Sequence, residues 1–268
     1  MRKKVRVVAE KNSLFARRTH IILFFIILLT CVSSAGIRAE CIGEHETMDV
    51  NGVSIYYEVA GEGLPVILLH GNGGSHRDLY METSQLSDAG YKVYAVDSRG
   101  QGQSSDAPEY HYADMADDVY ELIKAWGFEK PALYGWSDGG IIGLLVEIRH
   151  PGTLGVLAVS GANTDPEGLR NSFLWPARLF AGSSGSITDM IVNEPHITEE
   201  ELAGIDIPVL VTAGDDDIIK EEHTEMIAES IPDAELMILS GENHGSYIAG
   251  SEKMGEILIQ FFDENGYK

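Results

Sequence analysis

The feature that most restricts how this chain can fold is Gly135-Trp136-Ser137-Asp138-Gly139-Gly140. A short apolar run, Pro131 to Tyr134, precedes it and reads as a buried strand, and Ile141 to His150 follows it and reads as a helix. A serine between glycines at a strand-to-helix junction is the G-x-S-x-G pattern of a nucleophile elbow. So tight a turn forces unusual backbone angles on Ser137 and crowds its neighbours, which accounts for Gly135 and Gly139. It lifts the Ser137 hydroxyl clear of the sheet. The helix start behind it offers unpaired N–H groups and a positive dipole end. Taken alone, the pattern also suits a glycine-rich turn with an ordinary exposed serine, since the chain holds 29 glycines. The remaining elements decide between the two.

Those elements alternate. Met48 to Val59 reads as a β-hairpin turning at Asn51-Gly52. Pro65 to Leu69 is an apolar run suited to a strand buried on both faces, ending in His70-Gly71-Asn72-Gly73-Gly74-Ser75. A helix is predicted from Arg77 to Ala89, a strand over Tyr91–Val96, and a helix over Tyr112–Trp126. After the elbow come strands over Leu154–Val159, Pro208–Ala213 and Ala234–Leu239, a helix over Glu221–Ser230, and a last helix ending near Phe262. Strands alternating with helices imply right-handed crossovers and a mostly parallel central sheet flanked by helices, an α/β fold. Functional groups in such sheets gather at the carboxyl ends of the strands, where all the glycine-rich loops fall. Ala162 to Gly204 breaks the rhythm with no clear strand. Its Phe173, Trp175 and Phe180 mark it as a small cap insertion over about 162–204.

The N-terminus reads separately. Residues 1–35 hold seven Lys/Arg and one Glu, with an apolar block from Ile21 to Leu29 and small residues at Ser33-Ser34-Ala35. A basic start, an apolar core and a small-residue exit are the parts of a secretory signal peptide. The core, about 12 residues, is short of the ~20 that span a bilayer. Cleavage and secretion are therefore expected, with a retained membrane anchor as the alternative. The remainder holds 12 Lys/Arg against 41 Asp/Glu, a net −29 within an overall −23. A domain so acidic is a poor partner for nucleic acid or anionic membranes. After cleavage Cys41 stands alone, so no internal disulfide forms. Asp215-Asp216-Asp217 is an acidic turn, not a metal site in itself.

Five landmarks now stand in order at strand ends: HGNGGS from His70, DSRGQGQS from Asp97, GWSDGG from Gly135, AGDDD from Ala213 and GENHG from Gly241. With them the chain resembles the α/β-hydrolase superfamily from about Thr47 to Lys268. The resemblance implies the α/β-hydrolase fold and a serine hydrolase with the chain order serine, acid, histidine. Ser137 would attack an acyl carbon. His244, in a glycine-flanked loop after the last strand, would take its proton. The acid implied by the family pattern is Asp217, three residues after Gly214; Asp165, after the preceding strand, is the alternative. The backbone N–H groups of Asn72 and Asp138 would form the oxyanion hole. Asp97, Arg99 and Gly100 match a turn that is structural in the family, and His70 shapes the oxyanion loop. The other histidines carry no such implication: His150 ends a helix, His223 sits on a polar helix, and His45 and His196 lie in acidic surface sequence.

GWSDGGI followed later by Gly161-Ala162-Asn163 resembles the biphenyl-hydrolase-like esterases of the valacyclovir-hydrolase type, which accept amino-acid esters. This chain has a shorter cap than they do. The resemblance implies a small carboxylic or aminoacyl ester as substrate and no metal or cofactor. Asp138 then has two readings: a carboxylate favoured at a helix start, or one facing a substrate cation. Trp136 and Trp175 are further candidates for substrate contact. A carbon–carbon bond hydrolase with the same triad, or a non-catalytic binding module on this fold, are the rival readings. Haloalkane dehalogenases and epoxide hydrolases carry aspartate where this chain has Ser137.

Overall fold

The computed structural model describes residues 5–8, 43–182 and 185–268. The apolar core and small-residue exit expected of a signal segment, residues 21–35, lie outside them. The strands are β1 Val5–Val8, β2 Glu44–Val50, β3 Val53–Ala60, β4 Leu64–Leu69, β5 Tyr91–Val96, β6 Ala132–Trp136, β7 Val156–Ser160, β8 Val209–Asp216 and β9 Ala234–Asn243. The helices are α1 Tyr80–Asp88, α2 Tyr112–Trp126, α3 Asp138–Arg149, α4 Asn171–Leu179, α5 Ile187–Asn193, α6 Glu199–Ala203, α7 Glu221–Ser230 and α8 Lys253–Glu264. Among the described residues no helix is long and apolar enough to cross a membrane.

All nine strands form one sheet in the order β1-β9-β8-β7-β6-β4-β5-β3-β2. Pairing is parallel from β1 to β5, and β3 joins β5 and β2 antiparallel. This is the mostly parallel sheet expected. Side chains alternate across it with period two. Ile67, Leu69, Leu133, Leu157, Val159 and Val211 point to one face with Val119 of α2, Ile142 of α3 and Ile227 of α7. Val66, Leu68, Ala132, Tyr134, Ala158 and Leu210 point to the other with Leu86 of α1 and Leu258 and Phe262 of α8. A strand buried on both faces must be apolar throughout, and Val66 to Leu69 have no exposed surface at all.

The strand order places the site. From β4 the chain crosses to β5 on one side, then returns to β6 on the other. The carboxyl ends of β4 and β6 are therefore neighbours, with Leu69 paired to Gly135. Loops leaving a sheet at such a switch point diverge and open a crevice between them. Here the two loops are His70–Ser75 and the elbow.

Several boundaries differ from expectation for identifiable reasons. The predicted helix over Arg77–Ala89 is a 3₁₀ turn, His76–Leu79, followed by α1, because Ser75 and Asp78 form a reciprocal cap one turn early. Helix α3 begins at Asp138 instead of Ile141, because Gly139 and Gly140 are helical residues that let the helix lie close on the sheet. The 162–204 segment contains α4, α5 and α6. Leu169, Leu174, Val192 and Ile219 form a small apolar cluster beneath it.

One core residue breaks the apolar rule. Glu82 of α1 has no exposed surface, and neither carboxyl oxygen finds a hydrogen-bond partner from another described residue. Burial raises its pKa from the ordinary 4.5 to about 8. The folded protein therefore keeps a proton that the unfolded chain releases between these values. Stability falls as pH rises from about 4.5 to about 8, by about 3 kcal/mol at pH 7. Glu82→Gln is expected to be more stable than wild type in urea unfolding at pH 7.5, with the gain vanishing near pH 4.5. A pH-independent difference would contradict this.

Candidate active site

The elbow has the strain that its sequence implies. Ser137 sits at φ 55° and ψ −115°, left-handed backbone that a serine seldom adopts. The turn holds because the glycines around it permit close approach. A Cβ on Gly135 would collide with the Gly139 backbone, and one on Gly139 with the Leu69 carbonyl. The Ser137 amide donates to the Ser160 carbonyl at 2.8 Å, and the Gly139 amide to the His70 carbonyl at 3.1 Å. The nucleophile candidate is thus bolted to β7 on one side and to the end of β4 on the other.

His244 and Asp217, far off in sequence, meet it. His244 Nε2 lies 3.0 Å from Ser137 Oγ, and His244 Nδ1 lies 2.7 Å from Asp217 Oδ1. A carboxylate can only accept, so Nδ1 carries the hydrogen toward Asp217, and in the neutral ring Nε2 is the acceptor that faces the serine hydroxyl. Asp217 is buried and also accepts from the Ile219 amide at 3.0 Å, which fixes its carboxylate plane. With Asp217 buried and His244 half-buried, the acid's side of the bond that orients the imidazole is shielded from water.

The oxyanion loop is held just as firmly. His70, fully buried, donates Nδ1–H to the Gly71 carbonyl at 2.7 Å and accepts the Ser98 amide at Nε2, 3.1 Å. It shapes the loop, as expected. Gln101 Oε1 accepts the Gly73 amide at 2.6 Å. Asn72 donates its side-chain amide to Asp138 Oδ2 at 2.8 Å, and the Tyr112 hydroxyl donates to Asp138 Oδ1 at 2.8 Å. Burial raises the Asp138 pKa, while the Asn72 and Tyr112 donors pull it back. The carboxylate is therefore enclosed between two donors.

Comparison with known proteins bears on the fold that carries these residues. Residues 65–186 match the family model described as the alpha/beta hydrolase fold. The chain is similar to the serine hydrolase BPHL of Homo sapiens, 28% identical over 79% of this chain and 84% of that one. It is similar to the 2-hydroxy-6-oxo-6-phenylhexa-2,4-dienoate hydrolase of Comamonas testosteroni, 33% identical over 58% of this chain and 60% of the other. In structure it is similar to the enol-lactonase from Burkholderia xenovorans, with a TM-score of 0.71, 18% identity, and coverage of 81% of this chain and all of the other. The chain has the α/β-hydrolase fold. It is a hydrolase on that fold.

In this α/β-hydrolase the other candidates occupy ordinary roles. Asp165 caps the turn at Glu167 (2.8 Å) and pairs with the exposed His196 at 2.8 Å, away from His244. Of Asp217, the acid implied by the resemblance, and its alternative Asp165, it is Asp217 that touches His244. Asp97 accepts from the His76 amide and from Gln103, and Arg99 grips Asp118 with a two-pronged bond at 2.6 and 2.7 Å; both hold loops in place. Asp215 accepts from Ser240 and Gly241 and stabilises a turn. His223 is half-buried and accepts the Thr164 amide at 3.0 Å, and burial lowers its pKa. Trp136 packs beside the triad, its Nε1–H donating to the His244 carbonyl at 2.9 Å. Trp175 lies on α4 with 63% of its surface exposed, which does not place it in the site.

Sequence reasoning noted Gly161 only as part of a motif. The structure puts it at φ +57°, where a Cβ would come within 2.8 Å of His244 Cε1 and Nδ1. Its backbone is the wall against which the imidazole rests. Gly161→Ala must displace the ring and lengthen one of its two bonds. A misplacement near 1 Å costs about a hundredfold in rate. The variant is expected to fold, by circular dichroism, and to lose about that factor in kcat. An unchanged kcat would show that the ring position is not set there.

Proposed function

We propose that this α/β-hydrolase is a serine esterase that cleaves a small carboxylic ester, aminoacyl esters included, through an acyl-enzyme on Ser137. The observation that carries the reading is the unbroken line Asp217–His244–Ser137, at 2.7 and 3.0 Å, with His244 Nε2 facing a strained serine. His244 takes the Ser137 proton as the oxygen attacks the acyl carbon, and Asp217 stabilises the imidazolium. The developing oxyanion is received by the Asn72 and Asp138 amides, each worth about 3 kcal/mol in the transition state. Neither amide has a backbone partner among the described residues. The tetrahedral intermediate collapses, and the leaving alcohol takes the proton from His244. Water deprotonated by the same imidazole then releases the acid.

A carbon–carbon bond hydrolase is the second reading, favoured by the 33% identity to the Comamonas hydrolase. The same three residues serve it. Export of the acidic domain, residues 47–268, after loss of residues 1–35 is part of the proposal. The support is the charge change at that boundary and the apolar core inside it. Cleavage there would remove β1 and leave β9 as the sheet edge.

The test is a panel of p-nitrophenyl esters, aminoacyl esters and vinylogous diketones, with Ser137→Ala and His244→Ala as controls. Turnover of at least one ester is expected, with a burst of p-nitrophenol equal to the enzyme present and a loss of 10³-fold or more in either variant. Turnover of the diketones alone would replace the esterase reading with the second one. Undiminished ester turnover in Ser137→Ala would refute both.

A further inference from the structure

The two oxyanion donors belong to different elements. Asn72 lies in the loop after β4, and Asp138 is the first residue of α3. Their usefulness depends on the distance between them being set before substrate arrives, since a donor that must reorganise during the reaction loses most of its effect. The backbone near Asn72 does not set it alone. Gly71, Gly73 and Gly74 surround it, and Gly73 is at φ +69°. Glycines leave a loop many alternatives.

A side-chain bond bridges the two elements, in addition to the Gly139 amide on the His70 carbonyl at the base of the loop. Asn72 Nδ2 donates to Asp138 Oδ2 at 2.8 Å, so the residue that offers one main-chain donor grips, through its side chain, the residue that offers the other. The grip is itself anchored. Asp138 Oδ1 accepts the Tyr112 hydroxyl at 2.8 Å, and Tyr112 opens α2, a third element. Asp138 and Tyr112 are 4% and 2% exposed, so water does not compete for the bond between them. Asp138 is thus enclosed, which leaves it ill placed to meet a substrate group directly.

We infer that the Asp138 carboxylate is a positioning clamp that fixes the Asn72 amide against the Asp138 amide, and that Tyr112 holds the clamp closed. The inference rests on the serine-hydrolase reading above and adds a role for side chains where that reading uses only main chain.

The clamp has consequences that a merely structural role lacks. The oxyanion is common to every ester, so loosening the clamp lowers kcat equally for plain acyl and aminoacyl esters and leaves KM nearly unchanged. Asn72→Ala keeps the amide but cuts the tether. It is expected to lose at least tenfold in kcat with KM within twofold, and Asp138→Asn to lose a similar factor. The double swap Asn72→Asp with Asp138→Asn restores a donor–acceptor pair with its direction reversed. It is expected to recover most of the loss. Each variant is first compared with wild type by circular dichroism and by its rate of Ser137 phosphonylation with a fluorophosphonate probe. Wild type that labels at Ser137, with losses shared by both ester classes and rescue in the swap, supports the clamp. Folded Asn72→Ala with wild-type kcat, a swap no better than the single variants, or an Asp138→Asn loss confined to aminoacyl esters overturns it and leaves the hydrolase reading standing. Folded wild type that does not label overturns both.

Discussion

Everything at the site follows from one backbone constraint, the left-handed conformation of Ser137 at the end of β6. A serine held there costs of order 1–3 kcal/mol, and surrounding contacts must over-determine it. They do so through close approach. Gly135 and Gly139 leave no room for a Cβ between the elbow and the carbonyl of Leu69, and Gly140 would press a Cβ to 2.9 Å from that of Ala162. Three glycines let α3 start immediately after the serine and lie against β4 and β7. The same packing points the hydroxyl out of the sheet and leaves the Asp138 amide, at the helix start, with no backbone partner among the described residues.

The sheet order then brings the partners in. The switch between β4 and β6 sets the oxyanion loop beside the elbow, while β8 and β9 end on the other side and deliver Asp217 and His244. Each group is fixed by a neighbour from another element. Gly161 backs the imidazole, Ile219 orients the acid, Ser98 holds His70, and Trp136 pins the His244 carbonyl. Chemistry that depends on tenths of an ångström needs support of this kind, because side chains in loops otherwise sample several rotamers.

Much of this was legible in the residues themselves. The elbow, the alternation of elements and the loops at strand ends are local patterns, so the α/β fold and Ser137 and His244 could be read directly. Asp217 was implied over Asp165 only by its spacing after Gly214, because both follow strands in acidic sequence; their contacts, Asp217 with His244 and Asp165 with His196, set them apart. The surroundings of Asp138 were hidden for the same reason. Its two donors, Asn72 and Tyr112, lie 66 and 26 residues away. Local propensity misplaced the start of α3, since Gly139 and Gly140 look like a turn until the sheet beneath them is known. Trp175 looked like a pocket aromatic by composition and lies largely in solvent. Glu82 carries no signal at all, because a glutamate on a helix is ordinary until its burial is seen.

The most direct measurement is a crystal structure of the enzyme after reaction with a phosphonate ester. The account predicts phosphorus bonded to Ser137 Oγ, with its oxygen ~2.7–3.1 Å from the amide nitrogens of both Asn72 and Asp138. His244 would remain on Asp217. An adduct on any other residue, or a phosphoryl oxygen turned to solvent with those two amides unengaged, would contradict it.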